Sequence, residues 1–443
     1  MFILRKILKA GFKIMVLLLV LIILIPLVLV AVPYKGRGDA EPVGDVSVNV
    51  TANSENNETR KGPYPYVFVH GMTGWGENAA MNEKMPYWGF SKEQDLLKYL
   101  RENGTEVYAP SVGPLSSAYD RACELYAQLT GTRVDYGKAH SEQYGHERFG
   151  RDYTGKAVMG TPWDLKSKIN LVGHSFGGPT VRVLVSLLAY GSKAEKDASG
   201  EACSELFKGG NAGGINAVVT LASPHNGSPL SNYMNDPVLP AFITTAVMNN
   251  LEKKGATYDP MLSQWGLDRM DLMNDFRLAV SKDQCGYDMT LNGASVLNKK
   301  FPTVPTVYYL SYSASLDSKE TEKMKESEIL KEANKNTGGY KILTKFWKYI
   351  RFAGNHTVVD GRILDDSWKK NDGFVPVISA QYPDSEENNH VFFADGMKPE
   401  KGVWTVMPVN EGENHGFYCS PCGNPEKFHE FFDEMIELIN GLE

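Results

Sequence analysis

Residues 168–191 read "KINLVGHSFGGPTVRVLVSLLAYG", and this stretch constrains the fold more than any other. Lys168–Ser175 is a short apolar run, the pattern of a buried strand. From Pro179 the chain has helical composition, with proline near the start, where a missing N–H costs nothing. Between the two, Gly173-His174-Ser175-Phe176-Gly177 must turn sharply. A strand-to-helix turn of this kind strains its central residue and demands small neighbours. Ser175 is thereby presented above the sheet as a candidate nucleophile. The N–H of Phe176, at the helix N-terminus, faces the place where an oxyanion would develop. A glycine-rich turn with an idle serine is the competing reading of a bare G-x-S-x-G, and the flanking strand and helix argue against it.

The remaining pattern agrees with a strand–helix alternation. "YPYVFVHG" (Tyr64–Gly71), "INAVVTLASPHNGS", "PTVYYLSYSAS" and "KGVWTVMPV" (Lys401–Val409) read as strands. "QDLLKYLREN" and the closing "PEKFHEFFDEMIELINGL" read as helices. The expected class is α/β, a mostly parallel central sheet with helices on both faces, in one domain over residues 62–443. A helical insertion at about 229–300 interrupts the alternation. The net charge of −7 and the dispersed lysines and arginines give no basis for a nucleic-acid partner.

Before residue 62 the composition changes. Arg5, Lys6, Lys9 and Lys13 precede an uncharged run from Ile14 to Val32, which as a helix reaches roughly 28 Å, close to the thickness of a bilayer core. The run is longer than a signal-peptide core and lacks a small-x-small cleavage site. Residues 1–35 are therefore expected to be an N-terminal membrane anchor or signal segment, with anchor preferred, and 36–61 a flexible polar tether. The domain would then be exported, to the extracellular face of the membrane or, if the segment is cleaved, to the medium.

A serine nucleophile needs a base, and the base needs an orienting carboxylate, in the chain order Ser, acid, His. His415 lies in a loop just after the last expected strand, where that base belongs; His356 and His390 remain open. His225 is too early, His429 falls within the final helix, and His70 ends a strand before a glycine turn. For the acid, Asp372 in an Asn-Asp-Gly turn competes with Asp360, Asp365 and Asp366. The Met72 N–H, in "VFVHGMTGWGE", is the natural second oxyanion donor. His140 and His146 stand in a polar run before Ser175 and by themselves read as solvated side chains.

Taken together, "VHGMTGWGE", "VGPLSSAYDRACELYAQLTGTRVDYGKAHSEQYGHERFGR", "GHSFGG", "LASPHNGS", "QWGL" and "NDGFV" resemble the bacterial lipases of family I.5, the Geobacillus and staphylococcal type, in order from about residue 64 to 415. The resemblance implies an α/β-hydrolase fold with a helical cap or lid, and a triad of Ser175, Asp372 and His415 with Met72 and Phe176 as oxyanion donors. It also implies a structural zinc ion held by Asp120, His140, His146 and Asp283, a ligand set that leaves no open position for substrate. The family's calcium carboxylates fall at Phe417 and Cys422 here, so a calcium site is expected to be absent; a Cys419–Cys422 disulfide could stiffen that loop instead. Gly173 stands where the family has alanine, and the charged region from about 315 to 360 is unlike the family's loop.

The family's lid corresponds to the apolar series Leu239, Phe242, Ile243, Ala246, Val247 and Leu251, at helical spacing. A cap helix that only packs on the core has the same pattern. The expected activity is serine carboxylester hydrolysis of acylglycerol esters at a lipid interface. The alternatives are a short-chain carboxylesterase or phospholipase on the same fold, or a non-catalytic surface binding module.

Overall fold

The computed structural model describes residues 63–234, 281–317, 325–336, 341–420 and 424–442. The apolar run at 14–32, the tether, the Leu239–Leu251 series and Cys422 lie outside these residues. Among the described residues no helix is long and apolar enough to cross a membrane.

Seven strands form one sheet: β1 (Tyr66–Val69), β2 (Val107–Tyr108), β3 (Ile169–His174), β4 (Ile215–Leu221), β5 (Tyr308–Tyr312), β6 (His390–Phe392) and β7 (Trp404–Val406). Their order is β6-β7-β5-β4-β3-β1-β2, and every pair is parallel. After β1 the chain runs to one edge as β2 and returns on the other side of β1 as β3. The carboxyl ends of β1 and β3 therefore flank the point where strand order reverses, the place where open α/β sheets bind ligands.

Both sheet faces are covered, which is why the strands read as continuous apolar runs. Val67 and Val69 on β1, with Leu171 and Val218, face α2 (Ala118–Thr130) and α3 (Gly177–Tyr190) in one core. Tyr66 and Phe68 point the opposite way, toward α1 (Leu96–Glu102) and the closing α5 (Pro425–Asn440), in a second core with Trp88, Phe428 and Phe432. The closing helix has Asn424 as its N-cap, its side chain accepting from the Lys427 N–H.

The turn from β3 into α3 is as tight as its glycines suggest. A Cβ at Gly173 would come within 2.5 Å of the Gly177 backbone, and one at Gly177 within 2.1 Å of the Val69 carbonyl oxygen. The second contact pins the first turn of α3 against β1.

The charged region after β5 has a structural role that its composition hides. The helix at residues 326–335 and α4 (Lys341–Ala353) form a small core of Leu316, Ile329, Ala333, Leu343 and Trp347. Trp347 Nε1 donates to the buried Asp317. Asn336 Nδ2 donates to the Leu316 carbonyl, and Asn414 Nδ2 donates to the Asn336 carbonyl. The Leu316 N–H donates to the Asn371 carbonyl. These bonds brace the two loops that carry Asp372 and His415. Phe417, at a position where the resemblance expects a calcium carboxylate, is buried against Tyr418 and Phe431. The insertion, in its described parts, is helical at Pro229–Met234, Cys285–Asp288 and Leu291–Lys300.

Candidate active site and metal group

Ser175 has φ of 54°, the left-handed region that costs a non-glycine residue on the order of 1–3 kcal/mol and persists only where the surroundings enforce it. Here the Ser175 N–H donates to the Leu221 carbonyl across the sheet (2.8 Å), and the Gly178 N–H donates to the Ser175 carbonyl (3.0 Å). The Ser175 Oγ stands 2.9 Å from His415 Nε2, and His415 Nδ1 stands 2.8 Å from Asp372 Oδ2. An ionised carboxylate only accepts, so Nδ1 carries the proton and Nε2 of the neutral ring is free to accept from the serine. Asp372 Oδ1 accepts from the N–H groups of Phe374 and Val375 (2.8 and 2.7 Å). The His415 N–H also donates to the Asp372 carbonyl (3.0 Å). The carboxylate is thus fixed at both oxygens and buried, with the Phe374 ring against the His415 ring, centroids 5.1 Å apart.

The other weighed residues go elsewhere. Asp360 accepts from Asn232 and Asn292, Asp365 from Ser367, and Asp366 pairs with Lys369. His390 lies on the edge strand β6 and stacks on Tyr382; His356 is an exposed turn residue. His429 stacks on Tyr99 from the closing helix. His225 is buried against Trp404, Thr220 and Arg182.

Among the described residues the N–H groups of Met72 and Phe176 donate to no protein acceptor. Phe176 is the N-cap of α3, so its N–H lies at the positive end of that helix. A Cβ on Gly71 would sit 2.8 Å from the Ser175 Cβ, so glycine there lets the loop after β1 approach the serine.

Behind the serine runs a buried relay that sequence reasoning missed. The Gly71 N–H donates to Tyr87 Oη (3.0 Å), Tyr87 Oη lies 2.7 Å from His174 Nδ1, and His174 Nε2 lies 3.0 Å from the His415 carbonyl oxygen. A carbonyl can only accept, so the His174 proton is on Nε2, and the tyrosine hydroxyl donates to Nδ1. Burial, and after it the nearby His415, lowers the His174 pKa to about 3. The neutral ring ties the loop after β1, the serine turn and the His415 loop together.

Asp120, His140, His146 and Asp283 converge as a second group, their ligand atoms all within 4.8 Å of one another and their side chains almost excluded from solvent. His140 Nε2 lies 3.1 Å from Asp120 Oδ1 and 3.2 Å from Asp283 Oδ2; His146 Nε2 lies 4.0 and 3.2 Å from the same oxygens. His146 Nδ1 donates to the Glu147 carbonyl (2.8 Å), which turns Nε2 toward the group. Glu195 accepts from the N–H groups of Ala139 and His140 and so fixes the helix that carries His140. Tyr119 stacks on the His140 ring at 4.0 Å. Burial alone would lower the His140 pKa, but Asp283 and Asp120 raise it to about 9; burial and Asp283 raise that of Asp120. Two buried carboxylates facing two imidazoles suit a divalent cation, which would replace the protons that otherwise hold the group together.

Residues 62–421 match the family model of the lipase-like C-terminal domain. The chain belongs to the lipase-like C-terminal domain family. This lipase-like chain is 37% identical over 375 residues to a lipase of Staphylococcus hyicus, covering 82% of this chain and 54% of that protein. It thus spans about half the length of that curated relative. Lipase 1 of Pelosinus fermentans has a similar structure, with TM-score 0.72 and 32% identity over 86% of this chain and 100% of that one. The crystal structure of the S. hyicus lipase gives TM-score 0.66 and 32% identity over 87% and 98%. With the all-parallel central sheet, these neighbours make the lipase-like chain's fold one of the α/β-hydrolase type.

The relay makes acid stability testable. In the unfolded chain His174 titrates near 6.5, and in the folded chain near 3. Between those values the unfolded state holds a proton that the folded state lacks, so stability is lost as pH falls through this window. Replacing His174 by Gln is expected to make the acid-side loss of urea stability shallower; equal slopes in the two proteins would sink the assignment of a neutral buried ring.

Proposed function

We propose that this chain is a serine carboxylester hydrolase of lipase type, acting on acylglycerol esters through an acyl-enzyme. The observation that carries the reading is the hydrogen-bond series Ser175–His415–Asp372, set at the carboxyl ends of parallel strands beside two undonated N–H groups. Ser175 Oγ attacks the ester carbonyl carbon while His415 Nε2 takes its proton. Asp372 holds the Nδ1–H tautomer and stabilises the imidazolium that forms. The Met72 and Phe176 N–H groups receive the oxyanion of the tetrahedral intermediate. His415 returns the proton to the departing alcohol, and water, activated at the same nitrogen, then releases the acid and regenerates the serine. The named relatives support the lipase reading, as does the apolar wall that Phe374 provides beside His415.

We propose further that Asp120, His140, His146 and Asp283 hold one zinc ion. A tetrahedron with bonds of about 2.0–2.1 Å places its ligand atoms roughly 3.3 Å apart, and the four imidazole–carboxylate separations here run from 3.1 to 4.0 Å. With all four positions filled by protein, the ion's role is structural. It would fasten the returning end of the insertion, at Asp283, to α2 and to the polar run at 140–146. Residues 62–443 act as one domain in this reading. The basic flank and apolar run before Val32 support export, with that run as anchor or signal segment; intact mass of the membrane and medium fractions would separate those two fates.

A fluorophosphonate probe is expected to label the protein, and Ser175→Ala to abolish labelling and cut ester hydrolysis by roughly 10⁴-fold or more. A Ser175→Ala variant that kept its activity would overturn the reading. Emulsified long-chain triacylglycerol set against p-nitrophenyl butyrate and phospholipid vesicles then fixes the ester class. Elemental analysis is expected to find one zinc per chain. Its removal by a strong chelator should cost about 3–4 kcal/mol if free zinc normally exceeds the dissociation constant several hundredfold. A metal-free protein of undiminished unfolding temperature contradicts the zinc assignment.

A further inference from the structure

Arg121 on α2 is wholly buried, and its guanidinium reaches both sides of the proposed oxyanion site. One terminal nitrogen donates to the His70 carbonyl; the other donates to the Gly113 carbonyl (3.2 Å) and, at longer range, the Gly71 carbonyl (3.4 Å). The Gly71 carbonyl belongs to the same peptide unit as the Met72 N–H. Arg121 Nε donates to Thr180 Oγ1 (2.9 Å), whose own hydroxyl donates to the Phe176 carbonyl (3.0 Å). The guanidinium also lies over the Phe176 ring, 5.1 Å from its centroid. One side chain therefore holds the loop of the first oxyanion donor directly and the residue of the second through Thr180 and the ring.

We infer that Arg121 is a positioning residue of the oxyanion hole. Its planar fork keeps the Met72 and Phe176 N–H groups convergent, a task for rigid donors in fixed directions. Its charge, out of contact with solvent, lies behind the place where negative charge appears. A carbonyl that accepts from a cation polarises its own peptide, which makes the N–H at the other end a stronger donor. The substrate carbonyl carries little charge in the ground state and a full one in the tetrahedral intermediate. The contribution of Arg121 is thus expressed in the transition state, and it acts on kcat rather than KM. Burying a guanidinium is costly unless its donors are satisfied, and here those donors go to the loops after β1 and β2 and to Thr180. The Ser175 main-chain strain and the Arg121 fork act on the two walls of the same hole.

This inference rests on the hydrolase reading above. The test compares Arg121→Met, which keeps much of the side-chain volume without charge, with Arg121→Lys, which keeps the charge without the fork. Each is assayed for kcat and KM on a p-nitrophenyl ester and for affinity toward a trifluoromethyl ketone, which forms an oxyanion adduct with the serine. Arg121→Met is expected to lower kcat roughly 10–100-fold with KM within about twofold, and to lose ketone affinity by the same factor. Arg121→Lys should lie between. If Arg121→Met does not accumulate as folded protein, Arg121→Lys and Thr180→Val carry the measurement, each expected to lower kcat and ketone affinity together by roughly 3–10-fold. Folded variants with unchanged kcat and ketone affinity overturn the inference, as does a rise in KM with both intact. A Ser175→Ala protein that remains active sinks the underlying reading instead, so the two failures are told apart.

Discussion

The left-handed conformation of Ser175 is the constraint on which the rest of the centre depends. It is unfavourable in isolation, and the chain enforces it from several sides at once. The Ser175 N–H bonds across to β4, α3 starts so close to β1 that Gly177 has no room for a side chain, and Gly71 lets the loop after β1 close over the serine. These devices draw on β1, β3 and β4 together, so the turn can be held only by the assembled sheet. The same assembly delivers His415 from beyond β7 and Asp372 from beyond β5, because parallel strands bring all their carboxyl ends to one edge. In the proposed reaction, a serine whose hydroxyl is already aimed spends no further reorganisation at the moment of attack.

Around that turn the supports are polar and buried, and they divide the work. Tyr87 and His174 join the loop after β1 to the His415 loop, while Arg121 and Thr180 join it to the start of α3. Leu316, Asn336 and Trp347 hold the turn of Asp372 from the outer side. Asp120 adjoins Arg121 on α2, so the group converging on Asp120, His140, His146 and Asp283 and the proposed oxyanion hole share one rigid helix. A cation in that group would fix the pitch and depth of α2, and with them where the guanidinium ends.

What could be read from the sequence follows how local each signal is. Ser175 and Phe176 stood out as candidates because the strand, turn and helix that define them are contiguous. Met72 stood out as a candidate one strand earlier, at the end of its own apolar run. Asp372 was ambiguous, since Asp360, Asp365 and Asp366 crowd the same stretch and only folding assigns them to an Asn-binding corner, a local cap and a lysine pair. The metal-type ligands lie at 120, 140, 146 and 283, with no short spacing to reveal them, so family resemblance alone brought them together. Tyr87 and Arg121 carried no signal, because a buried arginine looks like a surface one until its helix is placed. The charged region after β5 did contain a clue, in Leu343, Trp347 and Ile350 at helical spacing, but its many lysines and glutamates masked that one apolar stripe.

The histidines make the physical point behind those differences. His70, His174 and His225 are buried without a facing carboxylate, and burial holds each as a neutral ring; in all three cases a nearby cationic or imidazole group pushes the same way. A neutral imidazole is a directional part, one donor and one acceptor, and His174 uses both to fix loops. His140 and His146 are as deeply placed, yet two aspartates reverse the effect of burial and raise them. His415 stands between these cases, with one carboxylate at Nδ1, a hydroxyl at Nε2 and a side chain only partly exposed. The residue type is the same throughout, and in the proposed reading the number of carboxylates within reach decides whether it serves as a strut, a ligand or a proton carrier. Those carboxylates come from residues 120, 283 and 372, well separated along the chain from the rings they face, so it is the fold that brings each ring its partners.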